Sequence, residues 1–211
     1  MPGVRHGTER SRHRRARLGL ARGGVGAYNR HMERDIDRLL ITDRELAARV
    51  KEMAGQIAAC YPQPDPGLVL VPILSGSIIF LADLIRHLPM KMKLSLITVS
   101  SYAGATTASD QPGLVMDLTT DVSGRHVLLI DDILDTGKTL RFVRDRLLSH
   151  SPASIRTAVL LRKPDKAPTD VSADFVGFEI ADEFVVGYGL DYDGHYRNFP
   201  HIAVLRPEHY R

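Results

Sequence analysis

Apolar and polar residues follow one another along this chain in two distinct rhythms. Leu46, Val50, Met53 and Ile57 are spaced four, three and four residues apart, the period of one helix face. "TDRE", Thr42 to Glu45, has the spacing of a capping box just before them, so a helix is predicted over 43–59, ended by "YPQPDPG". "LVLVPI" (68–73) is instead an unbroken apolar run of strand length. "SIIFLADLIRHL" reads as a second helix with Ile78, Leu81, Ala82, Ile85 and Leu88 on one face, and Lys138–Leu148 as a third. Further strands are predicted at 94–100, 114–118, 126–131, 155–161 and 175–180. Strands alternating with helices, several of them apolar on both faces, predict an α/β fold with a mostly parallel sheet.

The charge pattern divides the chain. Residues 1–31 hold eight Arg and no Lys against the single acid Glu9, so the formal net charge of +3 splits into +7 there and −4 over the other 180 residues. "RHGTERSRHRRARLGLARGGVGAYNRH" has no apolar period, which predicts a disordered basic tail over 1–31 and a folded domain over 32–211. A nucleic-acid arm, an Arg-rich transit peptide and a start codon assigned ahead of Met32 are all compatible with it. No apolar run approaches the length of a membrane span. The single cysteine, Cys60, fits a reducing compartment and is expected to be a buried small hydrophobe. The nine histidines show no metal-ligand spacing. Between Ser100 and Gly113, "SSYAGATTASDQPG" is either a lid over a site or a solvated hairpin loop.

The candidate chemistry lies in "VLLIDDILDTGKTL", residues 127–140. Its Gly-Lys-Thr ending suggests phosphate binding, but five residues before Gly137 stands Asp132 where a nucleotide-hydrolase loop needs glycine. Bare carboxylates beside a triphosphate would repel it. They are welcome where they accept from sugar hydroxyls or face a divalent cation that bridges them to phosphate. Residues 136–139 can still hold one phosphate at a helix start. A ligand with vicinal hydroxyls, a magnesium-binding diphosphate and a separate terminal phosphate meets all these conditions, and 5-phosphoribosyl 1-diphosphate is such a ligand.

That stretch resembles the signature of the type I phosphoribosyltransferases. "LLRKP" and "DFVGFEIADEFVVGYGLDYDGHYRNFPHIAVL" resemble the hypoxanthine-guanine branch, the bacterial members above all, and the likeness runs from Met32 to Glu208. It implies a type I phosphoribosyltransferase fold, a mostly parallel sheet flanked by helices with a small hood. It also implies purine salvage in the cytoplasm, Mg²⁺ as cofactor, small-molecule substrates, no nucleic acid or membrane partner, and a homodimer or homotetramer. Asp131 and Asp132 would hold the ribose hydroxyls, directly or through magnesium-bound water. Asp135 would be the base at purine N7, while Thr136, Gly137, Lys138 and Thr139 would hold the 5′-phosphate. Lys163 would donate to the 6-oxo group, Phe184 stack on the ring beside the Val185 backbone, Asp191 bind magnesium, and Arg197 the diphosphate. Ser101 and Tyr102 match the family's lid. Ser75 and Gly76 match its diphosphate loop, where a cis Leu74–Ser75 bond is usual, although many members carry Lys or Arg at the position of Ser75. Asp193 is read as part of a solvated turn. A xanthine-preferring enzyme and a non-catalytic purine-sensing or RNA-binding regulator of the same fold are the rival readings.

Overall fold

The computed structural model describes residues 29–61, 67–100 and 112–210. In chain order the elements are α1 (Asn29–Asp35), β1 (Ile36–Ile41), α2 (Asp43–Cys60), β2 (Leu68–Leu74), α3 (Ile78–Ile85), β3 (Met92–Leu94), β4 (Ile97–Ser100), β5 (Gly113–Met116), β6 (His126–Leu134), α4 (Lys138–Leu148), β7 (Ser154–Arg162), β8 (Phe175–Glu179), β9 (Val185–Val186) and β10 (Ile202–Leu205). A 3₁₀ turn, Pro207–His209, follows.

The main sheet runs β5-β4-β2-β6-β7-β8, with β3 also paired to β2. All its pairings are parallel except β4 with β5. Alternation along the central strands sorts side chains between two layers, as the pleat requires. Leu68, Leu70, Leu128, Ile130 and Leu160 pack with α2 and α3. Val69, Val71, Val127, Leu129 and Val159 pack with Leu140, Val143 and Leu147 of α4. Burial on both faces is why these strands read as continuous apolar runs. Each such side chain stabilises the fold by roughly 1.5–3 kcal/mol relative to exposure. A separate antiparallel sheet, β1-β10-β9, forms a hood. Tyr188 ties the hood to α3 by donating from its hydroxyl to Asp83 Oδ2 at 2.6 Å.

The helix at 43–59 is observed as Asp43–Cys60 with its capping box complete: Thr42 Oγ1 accepts from Glu45 N–H, and the Glu45 carboxylate accepts from Thr42 N–H. Cys60, however, is exposed. The inward stripe passes from Ile57 to Tyr61, four residues on, and Tyr61 is the buried one. On α3 the expected face is rotated. Phe80, Leu81, Leu84 and Leu88 are buried, while Ile78 is 45% exposed and Ala82 also faces outward. This helix is apolar nearly all round, so spacing alone does not choose a face; the bulk of Phe80 does.

The strand expected at 94–100 is interrupted. Buried Ser95 donates its N–H to Leu70 O and accepts from Thr119 and Thr120 N–H at its hydroxyl, separating β3 from β4. The strand expected to end at Asp131 continues through Leu134, so the acid pair lies inside β6. α1 begins at Asn29, three residues inside the stretch read as a disordered tail. The preceding residues, 1–28, lie outside the described residues.

Candidate active site

The pairing of β6 positions the acids. Its contact with β2 stops at Pro72↔Ile130, whereas on the other side β7 continues beside it to Leu134↔Arg162. β2 turns away at Leu74–Ser75, a cis peptide, and leaves a cleft at the carboxyl end of the sheet, the usual ligand position in such sheets. Ser75, Gly76, Asp131, Asp132, Thr139, Asp191 and Arg197 are among the residues lining a cavity of about 370 Å³ there. Gly76 crosses Asp132 so closely that a Cβ on it would lie 1.7 Å from Asp132 Oδ2. Gly189 of the hood crosses Gly76 in turn, where a Cβ would lie 2.1 Å from Gly76 O.

Asp131 and Asp132 are adjacent and poorly solvated. Burial, and then the charge of Asp132, push the Asp131 carboxyl well above the usual carboxylate range; burial also raises Asp132. Arg197 pairs with Asp191 at 2.7 Å and donates to Gly189 O at 2.6 Å, which fixes its guanidinium at this cavity. The Gly-Lys-Thr turn follows directly. Gly137 adopts a left-handed conformation (φ 72°) as the residue before α4, and no side chain caps that helix. Thr139 reaches the cavity, while Thr136, Gly137 and Lys138 form the turn outside its lining.

A second cavity, of about 520 Å³, shares Asp132 and Asp191 with the first. Lys163 lies in it almost wholly buried, its ammonium 3.0 Å from Asp135 Oδ2 and 3.1 Å from Asp182 Oδ1. Lys166 lies 3.0 Å from Asp182 Oδ1 and 3.6 Å from Asp135 Oδ1. The remaining oxygen, Asp135 Oδ1, is shielded from solvent and accepts no hydrogen bond. The bond to Lys166, then that to Lys163, hold Asp182 below its ordinary range, and Asp182 raises Lys166 in return. Phe184, Val185 and Tyr210 complete one wall. The Phe184 ring is not bare: Tyr210 stacks on it at 4.6 Å and 17°, and Tyr192 meets its edge at 5.6 Å.

The sequence-predicted residues therefore line two joined cavities, except Thr136, Gly137 and Lys138, which form the turn beside them, and Ser101 and Tyr102, which lie outside the described residues. Asp182, Lys166 and Tyr210 were not among them. Two signals were available. Lys166 follows Lys163 by one tight turn, with Lys166 N–H bonded to Lys163 O, and Asp182 stands two residues before Phe184.

Among the described residues, no group of three or more His, Cys, Asp or Glu side chains gathers tightly enough to hold an ion unaided. The donors around the first cavity are oxygens, and they present a buried, mutually repelling acid pair. This suits a hard divalent cation that takes one or two carboxylates and completes its shell with water and ligand phosphate.

The acid pair makes a stability prediction. A carboxyl raised on folding binds its proton more tightly in the native state. Its favourable contribution is full below the unfolded value of about 3.9 and is lost as pH rises through the folded value. Ionising both acids as pH rises therefore costs the free protein stability. In the presence of chelator, Asp131→Asn is expected to melt above the wild type at pH 8, at roughly 2–4 °C per kcal/mol relieved in a chain of this size. The gap should narrow toward pH 5. A variant melting at or below the wild type at pH 8 would contradict the crowding.

Comparison with known proteins agrees with this geometry. Residues 39–193 match the family model described as a phosphoribosyl transferase domain. The chain is 41% identical over 179 residues to the hypoxanthine-guanine phosphoribosyltransferase of Streptococcus pneumoniae, covering 85% of this chain and 98% of that one. It is 40% identical over 179 residues to the enzyme of the same name from Bacillus subtilis, with the same coverage. The crystal structure of a Staphylococcus aureus hypoxanthine phosphoribosyltransferase superposes with a TM-score of 0.79 at 38% identity, over 86% of this chain and 97% of that one.

Proposed function

The chain belongs to the phosphoribosyltransferase family, and we propose from that premise that it is a purine-salvage enzyme. It transfers the 5-phosphoribosyl group of 5-phosphoribosyl 1-diphosphate to N9 of hypoxanthine or guanine, giving IMP or GMP and diphosphate. The observation that carries this reading is the pairing of two cavities. A buried ammonium and a carboxylate face one, an acid pair and a glycine-tight loop face the other, and Asp132 and Asp191 belong to both.

In the reaction the bond from ribose C1 to diphosphate breaks and that to N9 forms, through a cation-like sugar. Asp131 and Asp132 accept from the ribose hydroxyls, and the turn at Thr136–Thr139 receives the 5′-phosphate at the start of α4. The diphosphate lies against Ser75, Gly76 and Arg197. With Ser75 in place of a cation, Arg197 carries the protein's positive charge there. Mg²⁺, bound through Asp131, Asp132 or Asp191 together with the substrate, would neutralise the departing diphosphate. At the base, Lys163 donates to the 6-oxo oxygen while the Asp135 carboxylate takes the proton from N7. Phe184 covers the ring. Asp182 and Lys166 keep a second carboxylate and a second ammonium beside Lys163, so its charge is not spent on Asp135 alone. No described helix is long and apolar enough to cross a membrane; the cytoplasm and a homodimer or homotetramer are part of the same proposal.

Turnover with 5-phosphoribosyl 1-diphosphate and each of hypoxanthine, guanine, xanthine and adenine tests the reading. Hypoxanthine and guanine should react, and excess chelator should abolish the reaction. Inactivity on every 6-oxopurine would remove the proposed function. Undiminished turnover in chelator would remove the metal from it.

A further inference from the structure

Phe184 is stacked by a tyrosine, Tyr210, from the last described segment. Alternation in the hood sends Val185, Ile202 and Val204 toward the main core, and Val186, Ala203 and Leu205 to an outer cluster. Tyr210 packs with that outer cluster, together with Met32, Leu39, Tyr192 and Tyr196. Its ring lies nearly parallel to Phe184, at 4.6 Å and 17°, while Tyr192 closes one edge at 85°. One face and one edge of Phe184 are thus taken, and Tyr210 also contributes to the wall of the same cavity. The ring is still 36% exposed and lines the cavity that contains Asp135 and Lys163.

The segment bearing Tyr210 is fastened independently of that stack. Arg206 donates its N–H to Asp35 O and its Nε to Ile36 O at 3.1 Å. His209 Nε2 lies 3.4 Å from Asp35 Oδ1, and Tyr210 N–H closes the turn on Pro207 O. A lone phenylalanine at a site rim can swing between rotamers. One clamped between two tyrosines presents a fixed face, so less rotamer freedom is lost when a flat ring binds.

We propose that Tyr210 is the positioning residue for Phe184: it sets the angle of the aromatic face on which the purine stacks, without touching the reacting atoms. This rests on the function proposed above. Offset-stacked aromatic pairs contribute about 0.5–1.5 kcal/mol beyond area burial, so losing the tyrosine should raise KM for hypoxanthine about 2- to 12-fold. KM for 5-phosphoribosyl 1-diphosphate should stay within about two-fold, because that ligand occupies the other cavity.

The test uses the full chain with three variants. Tyr210→Leu keeps apolar packing on the outer cluster and removes the ring. Tyr210→Phe keeps the ring. Tyr210→Leu is also made in a Phe184→Ala background. The expected result is a raised KM for hypoxanthine in Tyr210→Leu, recovery in Tyr210→Phe, and no added effect once Phe184 is gone. A wild type inactive on all 6-oxopurines overturns the functional reading, and that is seen before any variant is compared. With an active wild type, an unchanged KM in Tyr210→Leu overturns this inference alone. So does a lowered KM, which would mean the tyrosine competes with the base. Equal rises in both KM values, or a full effect without Phe184, would also overturn it.

Discussion

Asp135→Asn is expected to lower turnover on hypoxanthine by about 10²–10⁴-fold, the usual range for removing a positioned general base, with the binding of 5-phosphoribosyl 1-diphosphate changed far less. Asparagine matches the aspartate in volume, so the loop after β6 has no packing reason to move. Its amide oxygen can still accept from Lys163, which now meets Asp135 Oδ2 at 3.0 Å. What it cannot do is take a proton. In the function proposed above, the proton it would have to take is the one from N7. The expected split, turnover lost with donor affinity kept, follows from the two cavities: Asp135 belongs to the lining of one and not of the other. Single-turnover kinetics and direct donor binding measure the two quantities separately. Turnover within a few-fold of the wild type would assign the base elsewhere and leave Asp135 as a residue that shapes the loop.

The parts of this molecule that were legible in its sequence share a physical cause. Strands β2, β6 and β7 are covered on both faces, so their apolar runs are long, and the Thr42–Glu45 box marks the start of α2 without ambiguity. The hood strands escaped because nothing comparable marks them. β1 is "IDRLLI" with two irregularities in its pairing to β10, and β9 is only Val185–Val186. Their burial comes from each other and from the outer cluster, a tertiary fact. The acids of the cleft were legible because acid pair, third acid and Gly-Lys-Thr share one register. Asp182 and Lys166 were not, since a charged residue in a loop is ordinarily solvated. Only the fold shows that the loops after β6 and β7 and the segment before β9 deliver two carboxylates and two ammonium groups to one cavity. Tyr210 is the extreme case: its place beside Phe184 depends on contacts with Asp35 and Ile36, more than 170 residues away in the chain.

Adenine is expected to turn over below detection beside hypoxanthine and guanine, and the environment of Lys163 is the reason. Its ammonium carries three donors and no acceptor, and two carboxylates at 3.0 and 3.1 Å hold it in place. A group placed before it must accept. The 6-oxo oxygen shared by hypoxanthine and guanine does so, whereas the 6-amino group of adenine sets donor against donor where the side chain is only 7% exposed. Water cannot repair that contact, and sites built around such a hydrogen bond reject the mismatched analogue by about 10⁴-fold. Lys163→Met tests the same group from the protein side. Lys166 stays paired with Asp182 at 3.0 Å, so the uncompensated charge falls mainly on Asp135, and kcat/KM for hypoxanthine should drop by about 10²-fold or more while donor binding changes little. Measuring kcat/KM for all three bases in wild type and variant settles the matter. Adenine accepted as readily as hypoxanthine would mean the pocket reads another edge of the base. Normal hypoxanthine kinetics in Lys163→Met would make the buried ammonium a structural counter-ion to Asp135 and Asp182, with no part in choosing the substrate.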